Sequence, residues 1–285
     1  MSDATKDNAA FPPEGTRLFD AHCHLDFMTN ATEVAEDARR IGLSILATTI
    51  GPEGYRSLAH VLANQPNVRV APGLHPWWVA DGRADGRAVD AACSLAEGSS
   101  WVGEVGIDLS PHHVPEGSRD IQAQAFERVC QAAARSARKS GSPTVISIHS
   151  VRGATLALDI LEETGCLATC RPVFHWFSGT SDELTRAVRS GLWFSVNEMM
   201  LKTRRGREYA RQIPIERLLT ETDLPPEEGK PFSARAVADS IERTISALGK
   251  IRDMDEAELA EAIVDNACSL FSPASQARQG HYARR

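Results

Sequence analysis

No stretch of the 285-residue chain approaches the ~20 consecutive apolar residues of a membrane-crossing helix, so a hydrophobic helical anchor is excluded. The opening "MSDATKDNAAFPPEGTR" lacks the apolar core of a signal peptide and reads as a polar tail. Cysteine is scarce: six in a chain of this length, with no export signal, do not make a disulfide framework. Cys166 and Cys170 stand four apart, but no second Cys or His pair nearby completes a zinc knuckle, so reduced and mostly buried thiols are expected. Positive charge is also in deficit. The net charge of −7 argues against general electrostatic adhesion to nucleic acid. Bound metal ions and a few basic loops can still reverse the sign at one site. There is no internal linker and no low-complexity block. The expectation is a soluble, cytoplasmic protein with no membrane attachment and no stable protein partner deducible.

What is present is alternation. The chain is 42% hydrophobic, enough for a large core. Eight short β-branched or apolar runs recur: "LFDAHCHL" (18–25), "SILATTI" (44–50), "VRVAPGLHP" (68–76), "SWVGEVGID" (100–108), "PTVISIHS" (143–150), "RPVFHWFS" (171–178), "GLWFSVNE" (191–198) and "LLTETD" (218–223). Helical patterns lie between them, among them "IQAQAFERVCQAAARSARKSG", which is alanine-rich and closed by Gly141. Two more helical patterns follow the eighth strand. Strands alternating with helices pair in parallel, and eight such units predict a single-domain α/β fold, a closed (β/α)8 TIM barrel. The barrel is expected over residues 17–272, with tails at 1–16 and 273–285.

The ionisable residues fall at one end of these strands. His22 and His24 lie near the end of strand 1, His75 at the end of strand 3 and Glu104 on strand 4. His149 ends strand 5, His175 lies late in strand 6 and Asp223 ends strand 8. Barrel active sites form at this C-terminal mouth, from the ends of different strands. Side chains two apart on a strand share a face, so His22 and His24 can both enter the mouth while Cys23 faces the helices. Asp20 and Asp26 share the histidines' parity. Asp20 is a candidate to fix them from behind, and for Asp26 substrate contact competes with simple turn formation. An unpaired Glu104 between Val102–Gly103 and Val105–Gly106 is costly to bury, and a metal ion removes that cost. Asp108 shares Glu104's parity and either orients a neighbour or makes a turn. Four imidazoles and two carboxylates suit two divalent ions sharing a bridging carboxylate, ~3.5–4 Å apart. Oxygen ligands permit Mg²⁺ or Mn²⁺, whereas the histidines favour Zn²⁺ or Mn²⁺.

The motifs "DAHCHLD", "GLHPW", "GEVGID", "IHS", "HWFSG" and "LLTETD", in this order across residues 18–271, resemble the TatD family of metal-dependent deoxyribonucleases, within the amidohydrolase-like barrels. The resemblance implies a barrel enzyme with two divalent ions that hydrolyses phosphodiesters in DNA, commonly from the 3′ end of single strands. By motif, it implies that His22, His24 and Asp223 hold one ion, His149 and His175 the other, and that Glu104 bridges them. His75 would contact substrate phosphate. The chain departs from the family pattern in three places. Val151 displaces the arginine usual after the His-Ser pair, leaving Arg152 one position later; "LSPHHVPEG" replaces an aromatic stretch; and "LPPEEGKP" follows "ETD".

For substrate contact, the basic stretch "LKTRRGREYAR" follows strand 7, where Lys202, Arg204 and Arg205 can neutralise phosphates. Arg152 stands at the same mouth. Trp77, next to His75, is the aromatic placed to stack on an unpaired base, worth ~1–3 kcal/mol. His112 and His113 read as solvent-exposed loop residues. In mechanism, Asp223 is expected to ligate one ion and accept a proton from the attacking water. The alternative is an amidohydrolase-type enzyme cleaving a C–N or ester bond. Many of those barrels bridge their metals with a modified lysine on strand 4, where this chain has Glu104. A barrel that only binds would be expected to have lost members of the ligand set.

Overall fold

The computed structural model describes residues 10–272; the outer parts of the two tails, 1–9 and 273–285, lie outside the described residues. All eight expected strands form: β1 (Leu18–Cys23), β2 (Leu43–Thr48), β3 (Val68–Ala71), β4 (Trp101–Asp108), β5 (Thr144–Val151), β6 (Cys170–His175), β7 (Trp193–Val196) and β8 (Leu218–Thr220). Helices α1 (Ala31–Arg40), α2 (Pro52–Val61), α3 (Gly86–Glu97), α4 (Arg119–Ser140), α5 (Ala154–Glu163), α6 (Ser181–Arg189) and α7 (Arg204–Gln212) connect them, and α8 (Ala234–Arg252) and α9 (Glu256–Phe271) follow β8. Local chemistry sets the helix ends. Thr180 and Glu183 form a reciprocal capping box on α6, Asp85 caps α3, and Gly141, at φ 70°, ends α4.

Every strand pair is parallel, in two ladders ordered β1-β2-β3 and β4-β5-β6-β7-β8. Individual hydrogen bonds join the ladders. Gly103 N donates to Pro72 O (3.0 Å) and Leu74 N to Glu104 O (2.8 Å) on one side; Asp223 N donates to His22 O (2.9 Å) and His24 N to Leu224 O (2.8 Å) on the other. One apolar layer contains Phe19 and Ala21, Leu46, Ala71, Trp101, Val145, Val173, Trp193 and Leu219, a contribution from each of the eight strands. That is a filled barrel interior.

The lower end of this layer corrects the expected N-terminal tail. Phe11 is buried, its ring 4.8 Å from that of Phe271 and 6.0 Å from that of Phe19, so residues 11–16 pack on the barrel. A buried aromatic gains too much from leaving water, about 1.5–3 kcal/mol, for the segment carrying it to stay loose.

Climbing the interior by steps of two leads from apolar to polar. On β5 the series is Val145, Ser147, His149; on β6, Val173, His175; past β8, Leu219, Glu221, Asp223. On β1 and β4 the pairing register shifts, between Asp20 and Cys23 and between Val102 and Val105. Each shift moves the inward phase by one residue, from Ala21 to His22 and from Trp101 to Glu104. Cys23 then packs with Val34, Ala35 and Ala38 of α1 and Val237 of α8, in the helix layer as expected. Two glycines let backbones approach at this level. A Cβ on Gly73 would lie 1.5 Å from Thr49 O, and one on Gly106 2.0 Å from His149 O.

Candidate active site

The barrel mouth gathers five imidazoles around one carboxylate. Glu104 Oε1 lies 2.7 Å from His149 Nδ1, 2.9 Å from His175 Nε2 and 3.3 Å from His75 Nε2. Glu104 Oε2 lies 3.3 Å from His24 Nε2 and 3.5 Å from His22 Nε2. Asp223 Oδ1 joins the second group, 3.4 Å from His24 Nε2 and 3.7 Å from His22 Nε2. The two carboxylate oxygens therefore face different sets of donors. All six sequence-predicted ligands and His75 meet here, and only Asp223 is not buried.

A second ring of partners turns the imidazoles. His22 Nδ1 lies 2.8 Å from Ser147 Oγ, His24 Nδ1 3.5 Å from Asp26 Oδ1, His149 Nε2 3.1 Å from Asp108 Oδ2, and His175 Nδ1 3.7 Å from Glu221 Oε1. Each ring thus points its other nitrogen at Glu104, the outer-partner arrangement that orients histidine ligands. Glu221 is itself held by Ser195 Oγ and by Asn197 Nδ2 (2.9 Å). Ser147 and Glu221 went unmarked in the sequence; their signal is position, two residues before His149 and Asp223 on the inner face. Asp20 does not touch the rings. Its Oδ1 accepts from the backbone N of His22 and of Thr222 (3.1 Å each) and its Oδ2 from Thr222 Oγ1 (2.6 Å), which fastens the strand carrying the histidines to the segment carrying Asp223.

Burial and proximity pull the ionisations apart. Burial pulls the His22 imidazole down to about 4. For His24 burial opposes protonation, but Asp223, Asp26 and Glu104 outweigh it and hold the ring well above its usual value. Burial opposes ionisation of Glu104, yet the imidazoles of His75, His175 and His22 keep its carboxyl well below the ordinary range. Desolvation likewise drives the Asp20 carboxyl up to about 7.

The donor set fits divalent cations. Three combinations (His22, His24, Glu104; His75, Glu104, His149; His22, His175, Asp223) each bring one ligand atom per residue within 4.8 Å of the others. His22 Nε2 and His24 Nε2 lie 3.3 Å apart, and both face Glu104 Oε2. Nitrogen and oxygen lone pairs converging on a desolvated centre are what a bound cation satisfies.

A cleft of about 470 Å³ opens above the cluster, lined by His24, Phe27, His75, Trp77, Trp78, Glu104, His149 and Asp223, with Arg83 at its edge. Trp77 is 37% exposed and Phe27 stacks on His24 at 4.7 Å. The anticipated basic residues do not line the cleft. Arg152, exposed, follows β5 with φ 55°; Lys202 ends the short helix Glu198–Leu201; Arg204 and Arg205 open α7. Arg205 Nη2 donates to Ser178 O (3.1 Å), and Ser178 Oγ donates to Ser150 O (3.4 Å), tying the end of β5, the loop after β6 and the start of α7 into one rim. None of these four cations is ion-paired among the described residues, whereas Arg83 is held by Asp81. His113, an exposed loop residue as expected, also lies with Nδ1 2.8 Å from Asp108 Oδ2. All six thiols are free, and no described helix is long and apolar enough to cross a membrane.

A parallel eight-stranded barrel with histidines and acids converging on one carboxylate at its C-terminal mouth is the architecture of metal-dependent barrel enzymes. Residues 19–272 match the family model of TatD-related DNases, and the chain belongs to that family. It is 25% identical to human deoxyribonuclease TATDN3 over 90% of this chain and 95% of that protein. It is 27% identical to the metal-dependent hydrolase YcfH of Escherichia coli over 89% of this chain and 95% of that protein. The crystal structure of YjjV, a TatD homolog from Escherichia coli K12, shares the fold with a TM-score of 0.73 at 22% identity, covering 90% of this chain and 98% of that one.

Proposed function

We propose that this metal-dependent hydrolase of ester bonds cleaves phosphodiesters in DNA, removing nucleotides from the 3′ ends of single strands with two divalent cations. The observation that carries the reading is the division of Glu104, whose Oε2 lies nearest His22 and His24, themselves beside Asp223, while Oε1 lies nearest His149 and His175, with His75 at 3.3 Å. Those two groups would hold one cation each, with Glu104 between them. Bound divalent ions lower the pKa of water and offset charge on the attacking and leaving oxygens.

The chain's own groups supply the rest. Asp223 lines the cleft; partial desolvation raises its carboxyl, but His24 and His22 outweigh this and hold it below the ordinary range, so it accepts the proton of the attacking water at a carboxylate oxygen. His75 Nδ1 accepts from Trp77 N (3.2 Å), so the proton of the neutral ring sits on Nε2, a donor suited to a phosphate oxygen rather than a ligand. Trp77 and Phe27 offer faces to an unpaired base. The unpaired rim of Arg152, Lys202, Arg204 and Arg205 takes the phosphates that trail from the cleft. A panel of DNA, RNA, a phosphomonoester and a small amide tests the reading. Turnover of DNA well above the others supports it; hydrolysis of the amide alone would move the enzyme to C–N bond cleavage.

A further inference from the structure

The carboxylate of Asp108 is fully buried at the mouth end of β4 and gathers four donors. Oδ1 accepts from Ser110 N at 2.7 Å. Oδ2 lies 2.6 Å from Trp77 Nε1, 2.8 Å from His113 Nδ1 and 3.1 Å from His149 Nε2. Its backbone is braced as well, since Gln122 of α4 accepts from Asp108 N and donates to Asp108 O, both at 2.8 Å. Among the outer partners of the imidazoles, Ser147, Asp26 and Glu221 do not reach the aromatic wall; Asp108 holds a histidine and that wall with the same oxygen.

We infer that Asp108 is a positioning residue that sets the ring of His149 and the indole of Trp77 together, so that the metal-binding half and the substrate-gripping half of the cleft share one anchor. The inference rests on the reading of His149 as a ligand. An Nε2–H directed at Asp108 leaves the Nδ1 lone pair facing Glu104, the tautomer a cation needs. The indole N–H spent on Asp108 fixes the Trp77 ring edge-on, with its ring centroid 4.9 Å from that of His75 and 6.1 Å from that of His149, as one wall of the cleft. His113 flanks the outer side of that indole at 5.0 Å. It belongs to the "LSPHHVPEG" segment, where the chain departs from the family pattern, so this loop adds a third grip on the same carboxylate. A stacking platform held in this way pays little ordering entropy when a base arrives.

Two measurements on the full-length protein test the inference without relying on turnover. The first is exchange of the Trp77 indole N–H with water, followed by ¹⁵N–¹H NMR and assigned by loss of the signal in Trp77→Phe. The wild type should show a protected proton, exchanging at least tenfold more slowly than in Asp108→Asn. The second is calorimetric titration of metal-free protein with Mn²⁺. Asp108→Asn should bind 10–100-fold more weakly at one site, while Trp77→Phe binds as the wild type does. If Asp108→Asn does not fold, His113→Ala and the wild-type exchange rate remain: a protected indole supports the inference, and an indole exchanging as fast as one in water overturns it. Unchanged Mn²⁺ affinity in a folded Asp108→Asn would also overturn it. A protected indole in a protein that leaves DNA uncut would retire the nuclease reading and keep the anchor.

Discussion

Replacing Asp223 by Asn separates chemistry from folding at one atom. The residue lies past β8 with φ 59°, a left-handed conformation that Asn adopts at least as readily as Asp, and its backbone N–H to His22 O is untouched by the change. The side chain is partly exposed, so the unfolding free energy should move by less than about 1 kcal/mol. The chemistry should not survive as well. The amide cannot take a proton from water, and general-base assistance is worth roughly 10²–10⁴ in rate, or about 2.7–5.4 kcal/mol of barrier. Its lost charge also weakens the group formed with His22 and His24, at 3.7 and 3.4 Å. Thermal melting in EDTA should give a Tm close to the wild type, while steady-state cleavage of a fluorogenic single-stranded oligonucleotide drops at least a hundredfold. Turnover within a few-fold of wild type would refute the role of Asp223.

Three other variants probe separate parts of the account. Phe11→Ala opens a cavity against Phe19 and Phe271 and should cost about 3–5 kcal/mol, read in urea unfolding curves; no change would mean that residues 11–16 do not hold the barrel floor. Glu183 accepts from Thr180 N (2.7 Å) and Thr155 N (3.0 Å); burial pushes its carboxyl up, but these bonds outweigh it and hold the value below 4.5. A depressed folded-state value gives stability that is present above pH 4.5 and lost as pH falls through that lower value, so the deficit of Glu183→Gln, about 0.3–1 kcal/mol at neutral pH for a group largely screened by water, should shrink in acid; a pH-independent deficit would contradict the assignment. Arg205→Ala with Lys202→Ala should raise KM for long single strands more than for dinucleotides and flatten its salt dependence by roughly one contact per residue. Equal effects on both substrates would place the trailing phosphates elsewhere.

Strand order and the residues that meet at the mouth were legible because both rest on local patterns. Short apolar runs alternate with helical ones, and six of the eight strands carry a metal-type residue at the same end. The inward phase of β1 and β4 was less open to reading. Simple alternation from Phe19 or Trp101 aims His22 and Glu104 outward, and the register shifts that correct this depend on how neighbouring strands pair. Ser147 and Glu221 escaped because a serine or an acid beside hydrophobic residues carries no ligand signature until an imidazole is placed next to it. Phe11 was hidden because it stands alone between Ala9-Ala10 and Pro12-Pro13 with no apolar periodicity, and its partner Phe271 lies at the far end of the chain. The contact of His113 with Asp108, five residues earlier, was not legible because it depends on how the exposed loop folds back.

The most direct test strips the protein of metal and offers it single-stranded oligonucleotides labelled at either end, with Mg²⁺, Mn²⁺ or Zn²⁺ added back and Glu104→Ala alongside. The account predicts no cleavage without metal, stepwise shortening of the 5′-labelled strand once metal is restored, and no shortening by the variant. Cleavage that persists in the chelated protein, or in Glu104→Ala, would contradict it.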